Sequence, residues 1–310
     1  MAINFREKLL LAKIEGTYGT DSVPTGGSDA MLTSGLKVTP LNGDQVERNL
    51  DKPFLGRDGV IHVGTHVLSE FGVEIAGAGA AGDVPAYEPL LRACGLGETN
   101  NVGVSQVYDP VSAAFESVTL YHHLGGQKHG MVGARGNVRL EFSPREIPHF
   151  MFNMVGLWQA PASVSDPTAD WSAFQTPLAM TNDNTPTMTL HGTALTLVSA
   201  TIDLGNTVTY RNLVGQESAE ITDRAGTGRI VFEAPALSVK DWFSIAKANT
   251  TGALQLIHGA TAGNIVQVDS PKVQLLNPSY GEVDGVRTIE ADLRMIPSDA
   301  GNDETKITVK

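Results

Sequence analysis

The tripeptide Arg48-Asn49-Leu50 returns as Arg211-Asn212-Leu213, and around each copy the chain shows the same order of elements. A chain that repeats its element order over a long period is constrained to a duplicated architecture, because each copy must bury the same kind of apolar face. In the first half, GLKVTPL, GVIHVGTHVLSEFGVEIAG, FESVTLYHHL and GNVRLEFSP read as strands between turn-rich breaks. One short helix interrupts them: Tyr87, Leu90, Leu91 and Cys94 fall at i, i+3, i+4 and i+7, with Pro85 and Pro89 at its start and Gly95 at its end.

The second half follows suit. LTLVSATIDL, GNTVTYRNLV and GRIVFEAP read as strands, then a helix carries Val239, Trp242, Phe243 and Ala246 at the same four spacings, with Ser238 and Asp241 in capping positions. GALQLIHG, GNIVQVDSPKVQLLNP and GVRTIEADLRMI complete it. Leu120, His122 and Glu146 recur at one constant offset as Leu256, His258 and Glu282. The expected organisation is an extended arm over 1–34, a first domain over 35–156, a linker over 157–188 and a second domain over 189–310. The linker is rich in Pro, Ser, Thr and Asp, and its Trp158, Trp171 and Phe174 suggest that it lies over a surface. The predicted class is mainly β, with 33 glycines and 16 prolines leaving little room for long helices.

Charge narrows the function classes. The net charge is −12, and residues 1–157 hold 12 Lys and Arg against 17 Asp and Glu, with 10 against 17 in the remainder. No basic run exists to grip phosphates, so tight nucleic-acid binding is not expected. One cysteine, Cys94, excludes an internal disulfide framework and a cysteine zinc site. The short apolar stretch between Lys8 and Lys13 does not make a signal sequence, and no window approaches a membrane span.

Three stretches invite a chemical reading. Gly77, Gly79 and Gly82 have the spacing of a dinucleotide-binding turn, but that turn needs its helix to start within the motif, and Pro85 and Pro89 stand in the way. A strand-to-helix connection is the better reading. His122, His123 and His129 lack a convergent carboxylate or thiol, and adjacent strand residues point to opposite faces, so they read as polar strand residues beside a Gly125-Gly126 turn. Residues 298–306, SDAGNDETK, lack the order of a calcium loop and read as a solvated acidic tail. No nucleophile motif is present and Cys94 lies on an apolar stripe, so catalytic, cofactor and metal residues are expected to be none, and the chain is not expected to be an enzyme.

The stretch AKIEGTYGTDSVPTGGSDAM, residues 12–31, resembles the opening of major tail tube proteins of long, non-contractile-tailed bacteriophages (siphophages), closest to those of transposable Pseudomonas phages, with most of the likeness in Ala12 to Thr25. The resemblance implies tandem β-sandwich, barrel-forming domains that contribute strands to a ring, rings that stack into a tube, and a lumen that conducts viral DNA without binding it. It also implies self-association, contact with a tape measure protein and with tail terminator or distal tail proteins, and a place in the virion tail after assembly in the host cytoplasm. A ring needs six such domains, so a two-domain chain implies three copies. Four inner strands per domain would make about 24 strands, and at ~4.8 Å spacing and ~40° tilt the barrel would be roughly 48 Å across. An acidic lumen would repel phosphates. Residues 51–66, the arm 1–34 and the tail 298–310 are expected to make inter-ring or inter-subunit contacts. The other classes compatible with the sequence are a glycan-binding or adhesive β-sandwich module, a tail terminator and a head decoration protein.

Overall fold

The computed structural model describes residues 4–310, and residues 1–3 of the expected arm lie outside it. The first half contains β1 (Lys8–Ile14), β2 (Ala30–Met31), β3 (Ser34–Glu47), β4 (Val60–Glu74), α1 (Glu88–Ala93), β5 (Leu96–Asn101), β6 (Ser105–Pro110), β7 (Val118–Leu124), β8 (Gln127–Phe142), β9 (His149–Trp158) and β10 (Ala162–Ser163). The second contains β11 (Thr187–Leu190), β12 (Thr193–Ala194), β13 (Leu197–Asp203), β14 (Asn206–Leu213), β15 (Gln216–Arg224), β16 (Thr227–Glu233), α2 (Trp242–Lys247), β17 (Thr251–His258), β18 (Val266–Val283), β19 (Val286–Met295) and β20 (Lys306–Val309). The protein is mainly β, with two short helices, as composition and glycine content predict.

Strand order is the same in the two halves. In the first, antiparallel neighbours run β3, β4, β9, β8, β7, β1. In the second they run β13, β16, β19, β18, β17, β11. Even the small strands correspond: β10 pairs with the start of β8 just as β20 pairs with the start of β18. The two Arg-Asn-Leu tripeptides sit alike, one past the end of β3 and one at the end of β14.

The last part of β8 and strands β9, β13, β16 and β19 bury alternate residues, as a half-buried sheet requires, whereas β1, β7 and the first part of β8 are covered on both faces. Val138, Leu140 and Phe142 on β8, Phe150, Phe152 and Met154 on β9, and Ala200 and Ile202 on β13 all point into one core. The α1 stripe lies in that core as predicted, with Tyr87, Leu90, Leu91 and Cys94 all buried. The Gly95 amide closes the helix on the Arg92 carbonyl at 3.0 Å. The α2 stripe is only partly right. Trp242 is fully buried, but Val239 precedes the helix and is 70% exposed. Asp241 is the cap, accepting from the Ser244 amide at 3.0 Å, and Ser238 takes no part in it.

Three features bind the halves more closely than a linker would. A single core cluster contains residues of both. The strand β20 lies between β6 of the first half and β18 of the second, with Ile307 and Val309 buried. The expected solvated tail is therefore corrected from Glu304 onward: Glu304 is buried in an ion pair with Arg224, and Thr305 is fully buried. The third feature is the glycine stretch. The Gly79 amide donates to the Gly263 carbonyl at 2.8 Å and the Gly77 amide to Asn264 Oδ1 at 3.2 Å. A Cβ on Gly77 would stand 2.2 Å from the Gly263 carbonyl oxygen, so these glycines let two backbones cross, a tighter role than a loose connection. Gly77→Ala should lower stability by about 2 kcal/mol through overpacking, read as a lower urea midpoint.

The arm also differs from expectation. Residues 8–14 form β1, which pairs with β7 over its whole length and buries Leu10, Leu11 and Ala12. KLLLAKI is a continuous apolar run, and such a run fits a strand covered on both faces. Residues between β10 and β11 pack against the first half: Met180, 3% exposed, joins the core and exchanges backbone hydrogen bonds with Arg145 and Glu146 at 2.8 and 2.9 Å, while Trp171 and Trp158, the last residue of β9, are about 40% exposed.

His122 is enclosed by the sheet, fully buried. His122 Nε2 sits 2.8 Å from the Ser69 hydroxyl and Nδ1 faces the His129 carbonyl at 3.4 Å, with His123 and His129 the nearest titratable neighbours. Burial lowers its pKa from 6.5 to about 4. The unfolded chain therefore takes up a proton below pH 6.5 that the folded chain refuses, so stability is full above that pH and declines as pH falls toward 4. The decline should be about 1.4 kcal/mol per pH unit for this group. His258 and His191, also shifted down by burial, add in the same direction. Urea midpoints measured between pH 7 and 5 should fall, and fall less in His122→Gln.

Candidate assembly surface

The two halves share one sheet because β8 is longer than its neighbour β7. Along its first part β8 pairs with β7, from His123 opposite Lys128 to Val118 opposite Ala134. Beyond that point the same edge is taken up by β13, with Arg139, Leu140, Glu141 and Phe142 opposite Asp203, Ile202, Thr201 and Ala200. The result is a continuous antiparallel run of eight strands: β3, β4, β9, β8, β13, β16, β19, β18.

Polar side chains lock this seam. Asn137 Nδ2 donates to Asp203 Oδ1 at 2.6 Å, and Asn137 Oδ1 accepts from the Asn206 amide at 2.9 Å. Asn206 Nδ2 reaches the Cys94 and Gly136 carbonyls at 2.6 and 3.1 Å. Gly205, at φ +70°, makes the kink that separates β13 from β14, and a Cβ there would stand 2.0 Å from the Ala225 carbonyl oxygen. The kink throws the β14–β15 hairpin against β4, β8 and β9.

That hairpin is firmly seated. Ser218, Ala219 and Ile221 are buried beneath it. Arg135 donates to the Ala219 carbonyl at 3.1 Å and pairs with the Glu220 carboxylate, while its other nitrogens reach the Phe115 and Glu116 carbonyls at 2.8 and 3.2 Å. Tyr210 stacks on His66 with ring centroids 4.3 Å apart. The corresponding hairpin of the first half, made by the outer parts of β3 and β4, has no such seat among the described residues. Val46, Leu50, Phe54, Leu55, Val60 and Ile61 on it are all more than 40% exposed.

Two edges of the eight-stranded run are open among the described residues. β3 pairs with β4 alone, although β13, its counterpart, has neighbours on both sides. On β18, the edge used by β17 ends at Gln274, leaving Leu275–Val283 unpaired on that side. The face of the run opposite the core is mixed, carrying Leu68, Met151, Val155 and Val231 among its polar and charged residues. Basic groups there are mostly matched by carboxylates, in the pairs Lys37–Glu70 at 3.8 Å, Arg139–Glu141 at 2.5 Å and Arg229–Glu290 at 2.6 Å. Glu74, Asp203, Glu233 and Asp292 add negative charge to it in positions that alternate with core residues.

Sequence reasoning found the long loop after the first Arg-Asn-Leu but missed the β8–β13 seam, since nothing in one strand's pattern names a partner some sixty residues away. Cys94 is buried, and burial pushes its thiol pKa up. No cluster of three or more His, Cys, Asp or Glu side chains is placed to hold a metal among the described residues. A family model described as phage tail tube protein matches residues 6–307. No curated protein matches the chain.

Proposed function

The chain belongs to the phage tail tube protein family, and from that premise we propose that it is the repeating subunit of a siphophage tail tube, with three copies closing each ring into a pseudo-hexamer and rings stacking around a DNA-conducting lumen. The observation that carries this reading is the eight-stranded run with an open edge at each end. A subunit that ends in two unpaired edges is completed by a neighbour, and a head-to-tail contact that closes makes a ring. Eight strands from each of three copies give about 24, which at ~4.8 Å spacing and ~40° tilt enclose a cylinder roughly 48 Å across.

The shared strand order supports two tube domains, 35–156 and 189–310, each completed by a strand from the segment before it: β1 from the arm and β11 from the end of the linker. The face of the run opposite the core is the lumen lining in this reading, and its surplus of carboxylates keeps DNA from adhering in transit. A tape measure protein occupies the lumen before DNA does, and terminator and distal tail proteins cap the ends. The lineage, a transposable Pseudomonas phage, rests on the likeness of residues 12–25.

Negative-stain microscopy of the purified protein tests the assignment. Stacked rings or tubes are expected; a persistent monomer that binds sugar would replace the reading with an adhesive module, and isolated rings that never stack would favour a terminator.

A further inference from the structure

We propose that residues 162–170, the strand β10 and the stretch that follows it, form an acid-released strap: it lies closed over the outward face of the first half at neutral pH, and protonation of His123 beneath it favours its opening. The device belongs to the single chain and does not depend on how rings close.

Backbone pairs, one carboxylate and a small apolar cluster hold the strap down. β10 pairs with the start of β8, Ala162 opposite Lys128 and Ser163 opposite Gln127, and the Val164 amide donates to the Gly126 carbonyl at 3.1 Å. Asp166 then accepts from the Gly126 amide with both oxygens, at 3.2 and 3.3 Å. Farther along, the Asp170 amide donates to the Gly26 carbonyl at 2.9 Å, and a Cβ on Gly26 would stand 2.3 Å from the Thr168 carbonyl oxygen. Ala169 packs on Leu9, Leu11, Ala30 and Tyr121, a cluster separate from the main core. The duplicated scaffold does not itself require this cover. Tyr121 is buried beneath it, whereas Ile257, at the same place on β17, is only half-buried.

His123 makes the cover sensitive to acid. It is 3% exposed on β7, and its Nδ1 is buried without a hydrogen-bond partner, 3.6 Å from Asp166 Oδ1. Around it stand Lys128 opposite on β8, Leu9 opposite on β1, and Tyr121 and His122 on its own strand, with the Tyr121 hydroxyl bound in turn to Asp21. The single carboxylate that faces the ring is opposed by the Lys128 ammonium, so the loss of water around a charged imidazole prevails and burial holds the pKa below its ordinary value of 6.5. Once the strap lifts, His123 meets water and titrates near 6.5 again. Below that pH the open form takes up a proton that the closed form refuses, so each pH unit favours opening by up to about tenfold until the closed form is protonated too. The strap yields before the sheet because it rests on few contacts, while β7 is paired along both edges.

Hydrogen exchange read by mass spectrometry on the unassembled full chain, corrected for the intrinsic effect of pH, tests the device. Between pH 7.5 and 5.5 the opening equilibrium of a peptide over 162–170 should rise by up to about tenfold. A peptide over β9 should stay better protected at every pH, which marks the opening as local. His123→Gln should remove the rise. Asp166→Asn keeps an acceptor for the Gly126 amide and should keep the rise. Strap protection that is unchanged or greater in acid, a rise that persists in His123→Gln, a rise lost in Asp166→Asn, or a strap that exchanges only together with β9 would each overturn the proposal.

Discussion

Glu15→Ala is expected to destabilise the folded chain by about 3–5 kcal/mol, the largest effect of any single side-chain removal outside the apolar core. Glu15 is 7% exposed and follows β1 directly. Its Oε2 accepts from the Ser117 hydroxyl at 2.6 Å and the Gly19 amide at 2.8 Å. Its Oε1 accepts from the Thr119 hydroxyl at 2.8 Å and the Gly133 amide at 2.7 Å. Four donors from three segments thus converge on one carboxylate. Removing it leaves each of them without that acceptor, at about 1 kcal/mol or more apiece, and hydrogen bonds to a charged acceptor are the stronger kind. Urea unfolding of unassembled chains measures the loss. Glu15→Gln, which keeps one acceptor oxygen, should recover part of it, and an unchanged midpoint in the alanine variant would contradict the assigned role.

Replacing residues 50–58 by a two-residue turn is expected to leave the folded chain almost as stable as before and to weaken assembly strongly. Phe54 is 68% exposed and Leu55 fully so, and little of their surface is buried in the single chain. If the tip packs against a neighbour, burying these two side chains contributes about 2 kcal/mol each, and their loss raises the concentration needed for assembly by about two to three powers of ten. The matching truncation at the tip of β14–β15 should do the reverse. That hairpin carries the buried Ala219 and Ile221 and the stack of Tyr210 on His66, so shortening it costs fold stability before it affects contacts between chains. Light scattering against concentration, with urea midpoints on the same samples, separates the two outcomes. Normal tube formation without residues 50–58 would contradict the assignment.

Much of this architecture was legible in the residues because each half repeats its punctuation. Alternating runs located the strands, and the spacing of Tyr87, Leu90, Leu91 and Cys94 located α1. Legibility ended where burial is decided by distant partners. Val239 fits the α2 stripe by spacing alone, yet the chain turns into the helix only at Asp241, whose side chain caps it. KLLLAKI lacks alternation because both its faces are covered, one by the core and the other by Ala30 and Tyr121, so it resembled a featureless arm. The tail was misread for a related reason. Its charged residues 299–304 precede KITV, a strand too short to declare itself, which is buried because β6 and β18 flank it. The use of Gly77 and Gly79 in a backbone crossing depends on Gly263 and Asn264, which only the fold brings near, while Gly82 packs against Gly103.

The assembly surface was legible only in part. The long loop after Arg48-Asn49-Leu50 stood out by its length against the second copy, whereas the open edges of β3 and β18 follow from pairing, and pairing is a property of the whole sheet. Acidic composition gave the sign of the face opposite the core but not its members, since register decides which carboxylates alternate with the core.

The most direct test of the central claim is the cross-section of the assembled particle by cryo-electron microscopy. Three chains around one axis, with a wall in which the β3-to-β18 junction between chains superimposes on the β8-to-β13 junction within a chain, is the predicted result. A ring of six chains, or a wall in which β3 and the end of β18 both stay unpaired, would contradict it.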